Sequence, residues 1–303
     1  MDKIVGSGKH TYRVLEDWAQ TPPHIEMKAA AVAVDAQDRV FCFNRVAGHP
    51  IVIFDRNGNF VSSWGAGQFV QPHAIRFDAL GNLWLTDGHG MQFFKYSPDG
   101  VLLQTIGEKG YRSDTGVPAD DLSSTAWKKV THSAGPFNIP TDIAFAADGS
   151  MFMTDGYGNA RVHKFGPDGS YQFSWGQPGT APGQFNLPHG AWVDRRGRLL
   201  VADRENDRVQ VFDQGGALLG IWPTELIGPA FFYVDQDDIV YIPEHNGGLV
   251  SVLTLDGERL ARWGEGPIHK SCHGIWGDSH GDIYVVQPGD WGRTRRVVKY
   301  QRV

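Results

Sequence analysis

The stretch FVQPHAIRFDALGNLWLTD at residues 69–87 recurs in pattern as FNIPTDIAFAADGSMFMTD at 137–155 and FNLPHGAWVDRRGRLLVAD at 185–203. Each copy holds a short apolar strand, a turn built on Asp or Gly, and a second apolar strand ending on Asp. A third strand follows, as in RVHKF at 161–165, and then a Pro-Asp-Gly turn, as at 98–100 and 167–169. A fourth strand ends on an aromatic residue and glycine: Trp64-Gly65, Trp175-Gly176, Trp263-Gly264. Such turns suit tight antiparallel hairpins, because Gly tolerates positive φ and Asp bonds its own backbone. Four antiparallel strands repeating at roughly 35–50 residues make a propeller blade.

Six units are present, with first strands starting near Ala30, His73, Thr141, His189, Ala230 and His273. The expected fold is all-β: a single six-bladed β-propeller of NHL-repeat type over residues 1–303, four antiparallel strands per blade. The sixth unit reaches Val303 before its fourth strand. His10–Leu15 is expected to supply that strand and close the ring, as propellers do to avoid an open edge. Residues 108–136 form a polar insertion between the second and third units, carrying Asp120, Asp121, Lys128 and Lys129. A loop this long on a rigid scaffold is a lid, a binding loop or decoration.

Composition narrows the function. The formal net charge is −6, and no block of Lys and Arg offers the basic face that nucleic acids need. The short run Arg293, Arg295, Arg296 beside Trp291 reads as a solvated strand edge. No apolar run approaches the roughly 20 residues of a membrane span. Met1–Leu15 is polar and lacks the apolar core of a secretory leader, so the expectation is a cytoplasmic protein. The two cysteines, Cys42 and Cys272, make no disulfide framework. The expected partner is a small molecule, neither nucleic acid nor membrane; oligomeric state is not legible.

Two columns of residues carry the chemistry. At the start of the first strand, histidine stands in units two, four and six only: His73, His189 and His273. Alternate blades of a six-fold ring lie about 120° apart, so these imidazoles converge on the central channel. Three nitrogens with an open fourth position make a catalytic zinc pattern, although other first-row divalent ions accept the same donors. The alternative is that these are repeat residues satisfying turn hydrogen bonds. The other repeated column follows the second strand: Asn44-Arg45, Asp87-Gly88-His89, Asp155-Gly156-Tyr157, Asp203-Arg204 and Glu244-His245. Its acids read as turn caps. Arg45 and Arg204 read as clamps for a substrate carboxylate, or as partners of neighbouring acids such as Glu205. Tyr157 reads as a general base beside the metal, or as a packing residue. His10, His24, His132, His269 and His280 read as surface residues, while His89, His163 and His245 have a weaker claim on the channel.

The segments TDGYGNARVHKF at 154–165, GQFNLPH at 183–189 and VADRENDRVQVF at 201–212 resemble peptidyl-α-hydroxyglycine α-amidating lyase. The resemblance spans nearly the whole chain and is most specific in units three and four. It implies an NHL-type six-bladed propeller that splits an N-acyl-α-hydroxyglycine into a primary amide and glyoxylate. It implies zinc on His73, His189 and His273, Tyr157 as base, and Arg204 and Arg45 lining the site. It also implies a structural calcium, but the Asp that follows the third histidine in that family is Gly274 here. Gly158 stands where secreted members have a cysteine beside the tyrosine. Ser271-Cys272 replaces the family's Met-Pro before the third histidine, an expected change in the pocket wall.

Three functions follow. One is a metal-dependent lyase on an α-hydroxy-amide. The second is a metal-dependent hydrolase using the same histidines, with an activated water attacking an ester, amide or aromatic carbon. The third is a non-enzymatic NHL interaction module.

Overall fold

A computed structural model describes residues 3–264, 271–288 and 295–303. His269, Trp291 and Arg293 lie outside the described residues, as do the surroundings of the Arg295 side chain. The described residues form six antiparallel sheets arranged as a six-bladed propeller. Blade 1 is Ala29–Val34, Val40–Asn44, Ile51–Phe54 and Phe60–Trp64; blade 2 is Pro72–Phe77, Leu83–Asp87, Gln92–Tyr96 and Leu102–Ile106. Blade 3 is Pro140–Phe145, Met151–Asp155, Arg161–Phe165 and Tyr171–Trp175; blade 4 is Pro188–Val193, Leu199–Asp203, Arg208–Phe212 and Leu218–Ile221. Blade 5 is Tyr233–Val234, Val240–Glu244, Leu249–Leu253 and Arg259–Gly264.

Blade 6 is Ile275–Gly277, Ile283–Pro288 and Arg295–Arg302. The N-terminal segment completes it. His10–Leu15 pairs antiparallel with Arg295–Arg302, Tyr12 opposite Arg302 and Leu15 opposite Lys299. Ile4–Ser7 adds a fifth strand outside it. Tyr12 is fully buried, and its hydroxyl lies 3.1 Å from that of Tyr241 in blade 5. The two chain ends therefore meet in one sheet, and the pairing removes an edge without a covalent bond.

The core is divided the same way. Six clusters of buried apolar side chains each fill the space between two neighbouring blades. Between blades 1 and 2 these include Phe41, Ile51, Ile75 and Leu85; between blades 3 and 4, Phe152, Val162, Val201 and Phe212. The cluster of Val32, Val40, Tyr284 and Val286 joins the last blade to the first. Each strand's apolar residues face a neighbouring blade on one side or the other, which explains why inner strands read as unbroken apolar runs.

One irregularity places the channel residues. In blades 1 to 4 the first strand carries a β-bulge at Ala30, His73, Thr141 and His189, where two residues oppose one on the second strand. A bulge re-aims a side chain. The residue two positions earlier is left-handed in four blades: Ile139 (φ 59°), Leu187 (φ 66°), Gly228 (φ 65°) and Ser271 (φ 94°). Ile139 is β-branched, so this conformation is strained and must be held by its surroundings. The acids that end the second strands do some of that holding. Asp87 accepts from the backbone N–H of Val70 and Gln71, Asp155 from that of Asn138, Asp203 from that of Asn186, and Glu244 from that of Ile227.

Candidate metal centre

His73, His189 and His273 come together on the channel axis, each at most 1% exposed. Their ring centroids lie 4.9 Å (His73–His189), 5.1 Å (His73–His273) and 4.9 Å (His189–His273) apart. One ligand atom from each lies within 4.8 Å of the other two. A tetrahedral ion with bonds near 2.1 Å holds its nitrogens about 3.4 Å apart, so small ring rotations close the set around an ion.

The second nitrogen of each ring is fixed by a regular device. Nδ1 of His73 lies 2.6 Å from the Thr141 carbonyl oxygen, that of His189 2.9 Å from Ala230 O, and that of His273 2.6 Å from Ala30 O. Each acceptor is the residue at the equivalent repeat position of the next blade. A carbonyl only accepts, so Nδ1 carries the hydrogen and Nε2 keeps its lone pair for the axis. This is the outer-shell arrangement of a metal-bound imidazole. Burial, then the nearby Arg204 charge, pushes the His189 pKa well below its ordinary value, which keeps that ring neutral as ligation requires.

Tyr157 stands at the edge of this set. Its hydroxyl lies 3.3 Å from His189 Nε2 and accepts from Arg204 Nη1 at 3.0 Å. The Arg204 guanidinium also sits 5.2 Å from the centroid of the Tyr157 ring, and its Nε donates to Glu205 at 2.9 Å. Arg204 therefore pairs with the neighbouring acid and at the same time lines the site. Arg45 Nε donates to the Pro72 carbonyl at 3.1 Å, one residue before His73. Arg45, Tyr157 and Arg204 line a cavity of about 280 Å³ over His73 and His273.

His89 and His245 line the same cavity, whereas His163 is buried behind it, 3.2 Å from Asp155. The second-column position would have located both lining histidines, but histidine appears there in only two blades. The cavity's outer wall is Leu122, Ser123, Ser124, Thr125, Trp127 and Lys128, all from the 108–136 insertion, whose length marked it as a lid or binding loop without singling out these residues. Among the lining residues, three cations (Arg45, Lys128, Arg204) face one carboxylate, Glu205.

Below the histidines the channel is filled. Phe231 lies against all three rings, at 4.8 Å from His189, 4.9 Å from His273 and 5.8 Å from His73. Beneath it, Arg76 forms a two-pronged ion pair with Asp142, at 3.0 and 2.6 Å, and donates to the Phe232 carbonyl. Its guanidinium lies 5.4–5.6 Å from the ring centroids of Phe231, Trp192 and Trp276.

The comparisons agree with this architecture. An NHL repeat model matches residues 185–212. The chain is 28% identical over 327 residues to "Peptidyl-alpha-hydroxyglycine alpha-amidating lyase 2" of Drosophila melanogaster, covering 95% of this chain and 75% of that protein. This chain is similar in sequence to that amidating lyase over nearly its whole length. It is also 31% identical to the human "NHL repeat-containing protein 3" over 71% of this chain and 60% of that one. Against some other curated relatives the alignment spans as little as 16% of their length. In fold it matches a gluconolactonase from Xanthomonas campestris, with a TM-score of 0.67, 16% identity, and coverage of 99% and 95% of the two chains.

Against the amidating-lyase pattern, three departures have physical reasons. The structural calcium does not fit. A Cβ on Gly274 would fall 2.7 Å from Ala31 Cα, and Asp142, the one carboxylate among the residues following Ala30, His73, Thr141, His189, Ala230 and His273, is already paired with Arg76. A Cβ on Gly158 would fall 2.1 Å from Asn138 Oδ1, so a cysteine there is excluded by Asn138. Cys272 does not form pocket wall as expected. Its side chain is buried in the blade 5–6 cluster with Trp263 and Tyr300, and burial pushes the thiol pKa up to about 12.

Proposed function

We propose that this chain is a metal-dependent carbon–nitrogen lyase for an N-acyl-α-hydroxyglycine or a close α-hydroxy-amide bearing a carboxylate. The observation that carries the reading is the Tyr157 hydroxyl, poised between His189 Nε2 and Arg204 Nη1 at the edge of the three-histidine set. His73, His189 and His273 are the residues that would hold the ion, with zinc the expected occupant. When bound, the ion supplies a Lewis acid for the substrate hydroxyl.

The remaining work falls to side chains. Arg204, with Arg45 across the cavity, holds the substrate carboxylate through charge-assisted hydrogen bonds. With its own proton released to solvent, Tyr157 as the phenolate takes the hydroxyl proton on Oη. The carbon–oxygen bond becomes a carbonyl, the carbon–nitrogen bond breaks with its electron pair on nitrogen, and the proton passes on to that nitrogen. The products are a primary amide and glyoxylate, and Tyr157 is restored. Arg204 keeps a positive charge beside the oxygen while the proton is away. The test is direct: zinc-loaded protein is incubated with N-benzoyl-α-hydroxyglycine, and amide and glyoxylate are measured. Equal amounts of both, falling by about 10²–10⁴ in the Tyr157→Phe variant, are expected for a general base. Substantial turnover retained without the tyrosine hydroxyl contradicts the mechanism.

A further inference from the structure

The 108–136 insertion is built into the site rather than draped over it. Its roots hold the Tyr157 loop. Thr115, fully buried, donates through Oγ1 to the Gly158 carbonyl at 2.6 Å, next to Tyr157. Asn138 Nδ2 donates to Ser113 O and to Thr115 Oγ1, both at 3.0 Å, and Arg112 Nε returns a bond to Asn138 Oδ1 at 2.8 Å. Ala126, with no exposed surface, packs in the blade 2–3 core cluster against which Tyr157 also packs. The one helical turn of the insertion, Ala126–Lys129, then turns Trp127 and Lys128 to the cavity. A wall tied at this many points does not swing aside at low cost, since each buried bond broken without replacement costs about 1–3 kcal/mol.

The chemistry of the cavity is divided. The blade side carries the metal-ligating histidines and both arginines. The insertion side carries an indole, a leucine side chain, three hydroxyls and the Lys128 ammonium. Its volume, about 280 Å³, sits just under the roughly 300–1,000 Å³ of ordinary small-ligand sites. With the substrate carboxylate on the arginines, the acyl group points away from them and meets the insertion.

We propose that the insertion is the acyl-binding wall of this site, and that Trp127 selects compact, flat acyl groups over peptide chains. The proposal rests on the lyase reading for the substrate's head group but not for the wall itself. Trp127 is thus a specificity residue, and the favoured substrate class is an N-aroyl- or short N-acyl-α-hydroxyglycine.

The test uses the intact protein and two parallel series. The inert N-acetylglycine, N-benzoylglycine and a tripeptide ending in glycine are titrated by calorimetry. The matching α-hydroxyglycines are assayed for glyoxylate. Wild type is expected to favour the benzoyl over the peptidyl compound by at least about tenfold in both series, the scale of one good aromatic contact. Trp127→Ala is expected to collapse that ratio about tenfold, and Leu122→Gly to reduce it less. Equal handling of benzoyl and peptidyl compounds by wild type, or an unchanged ratio in a folded Trp127→Ala protein, overturns the wall. Selective binding of the inert series without turnover of any α-hydroxyglycine overturns the lyase reading and leaves the wall standing. Absence of binding across the series overturns both.

Discussion

The channel has two layers, a few ångströms apart, made by neighbouring positions of the same inner strands. The upper layer is His73, His189 and His273, three buried rings gathered on the axis. The lower layer is Phe231, Trp192, Trp276 and the Arg76–Asp142 pair. Both are buried and both contain polar groups. The difference lies in what each layer brings together. In the lower layer Asp142 meets Arg76 through both oxygens, and the guanidinium is covered by aromatic faces. Charge there is cancelled internally. In the upper layer each Nδ1 is tied to a carbonyl of the next blade, and one ligand atom from each ring lies within 4.8 Å of the other two. Buried polar groups ordinarily find partners. A layer that gathers three imidazole ligand atoms within 4.8 Å is arranged for a ligand, whereas a layer that closes on an ion pair is arranged for strength.

Substitutions separate the layers. The largest effect is expected from His73→Ala/His189→Ala, which should remove metal and with it turnover, leaving the fold intact; retained full occupancy, read by elemental analysis, would put the site elsewhere. Next comes Tyr157→Phe, with kcat lower by about 10²–10⁴ and metal content unchanged. Parallel loss of metal would make Tyr157 a structural support instead. In the lower layer, Arg76→Met leaves the Asp142 charge buried alone and should cost about 3–5 kcal/mol, while Arg76→Met/Asp142→Leu should recover most of that. Denaturant midpoints check both, and the pair should bind metal as wild type does. The smallest effect is a pH dependence. Because His189 has a lowered pKa in the folded chain, the unfolded chain takes the proton first as pH falls. The contribution of this ring to stability is therefore full above about pH 6.5 and is lost as pH drops below it towards the folded value. Melting temperatures of metal-free protein between pH 7.5 and 5 should fall, and His189→Asn should flatten that slope.

The sequence was most legible where it repeats. The Phe-x-x-Pro-His pattern at 69–73 and 185–189 located the bulge positions, and the alternation of histidine among them pointed to the axis. Asp87, Asp155 and Asp203 read as caps, and in the structure they tie down the segment entering each first strand. The lower layer was invisible for the opposite reason. Arg76, Asp142 and Phe231 each break the repeat at one blade only, so no register marks them as neighbours. The same holds for Trp127, since an inserted loop has no equivalent elsewhere in the chain. His163, which had a weaker claim on the channel, faces Asp155 and the Phe137 ring instead.

The account turns on the upper layer binding an ion. The most direct measurement is the transition-metal content of protein purified without chelator. About one divalent ion per chain is predicted, as befits a single three-histidine site, together with its loss from the His73→Ala/His189→Ala protein. Less than about 0.2 equivalents in the wild type, with none taken up from added zinc, would contradict it and return the three rings to a structural role.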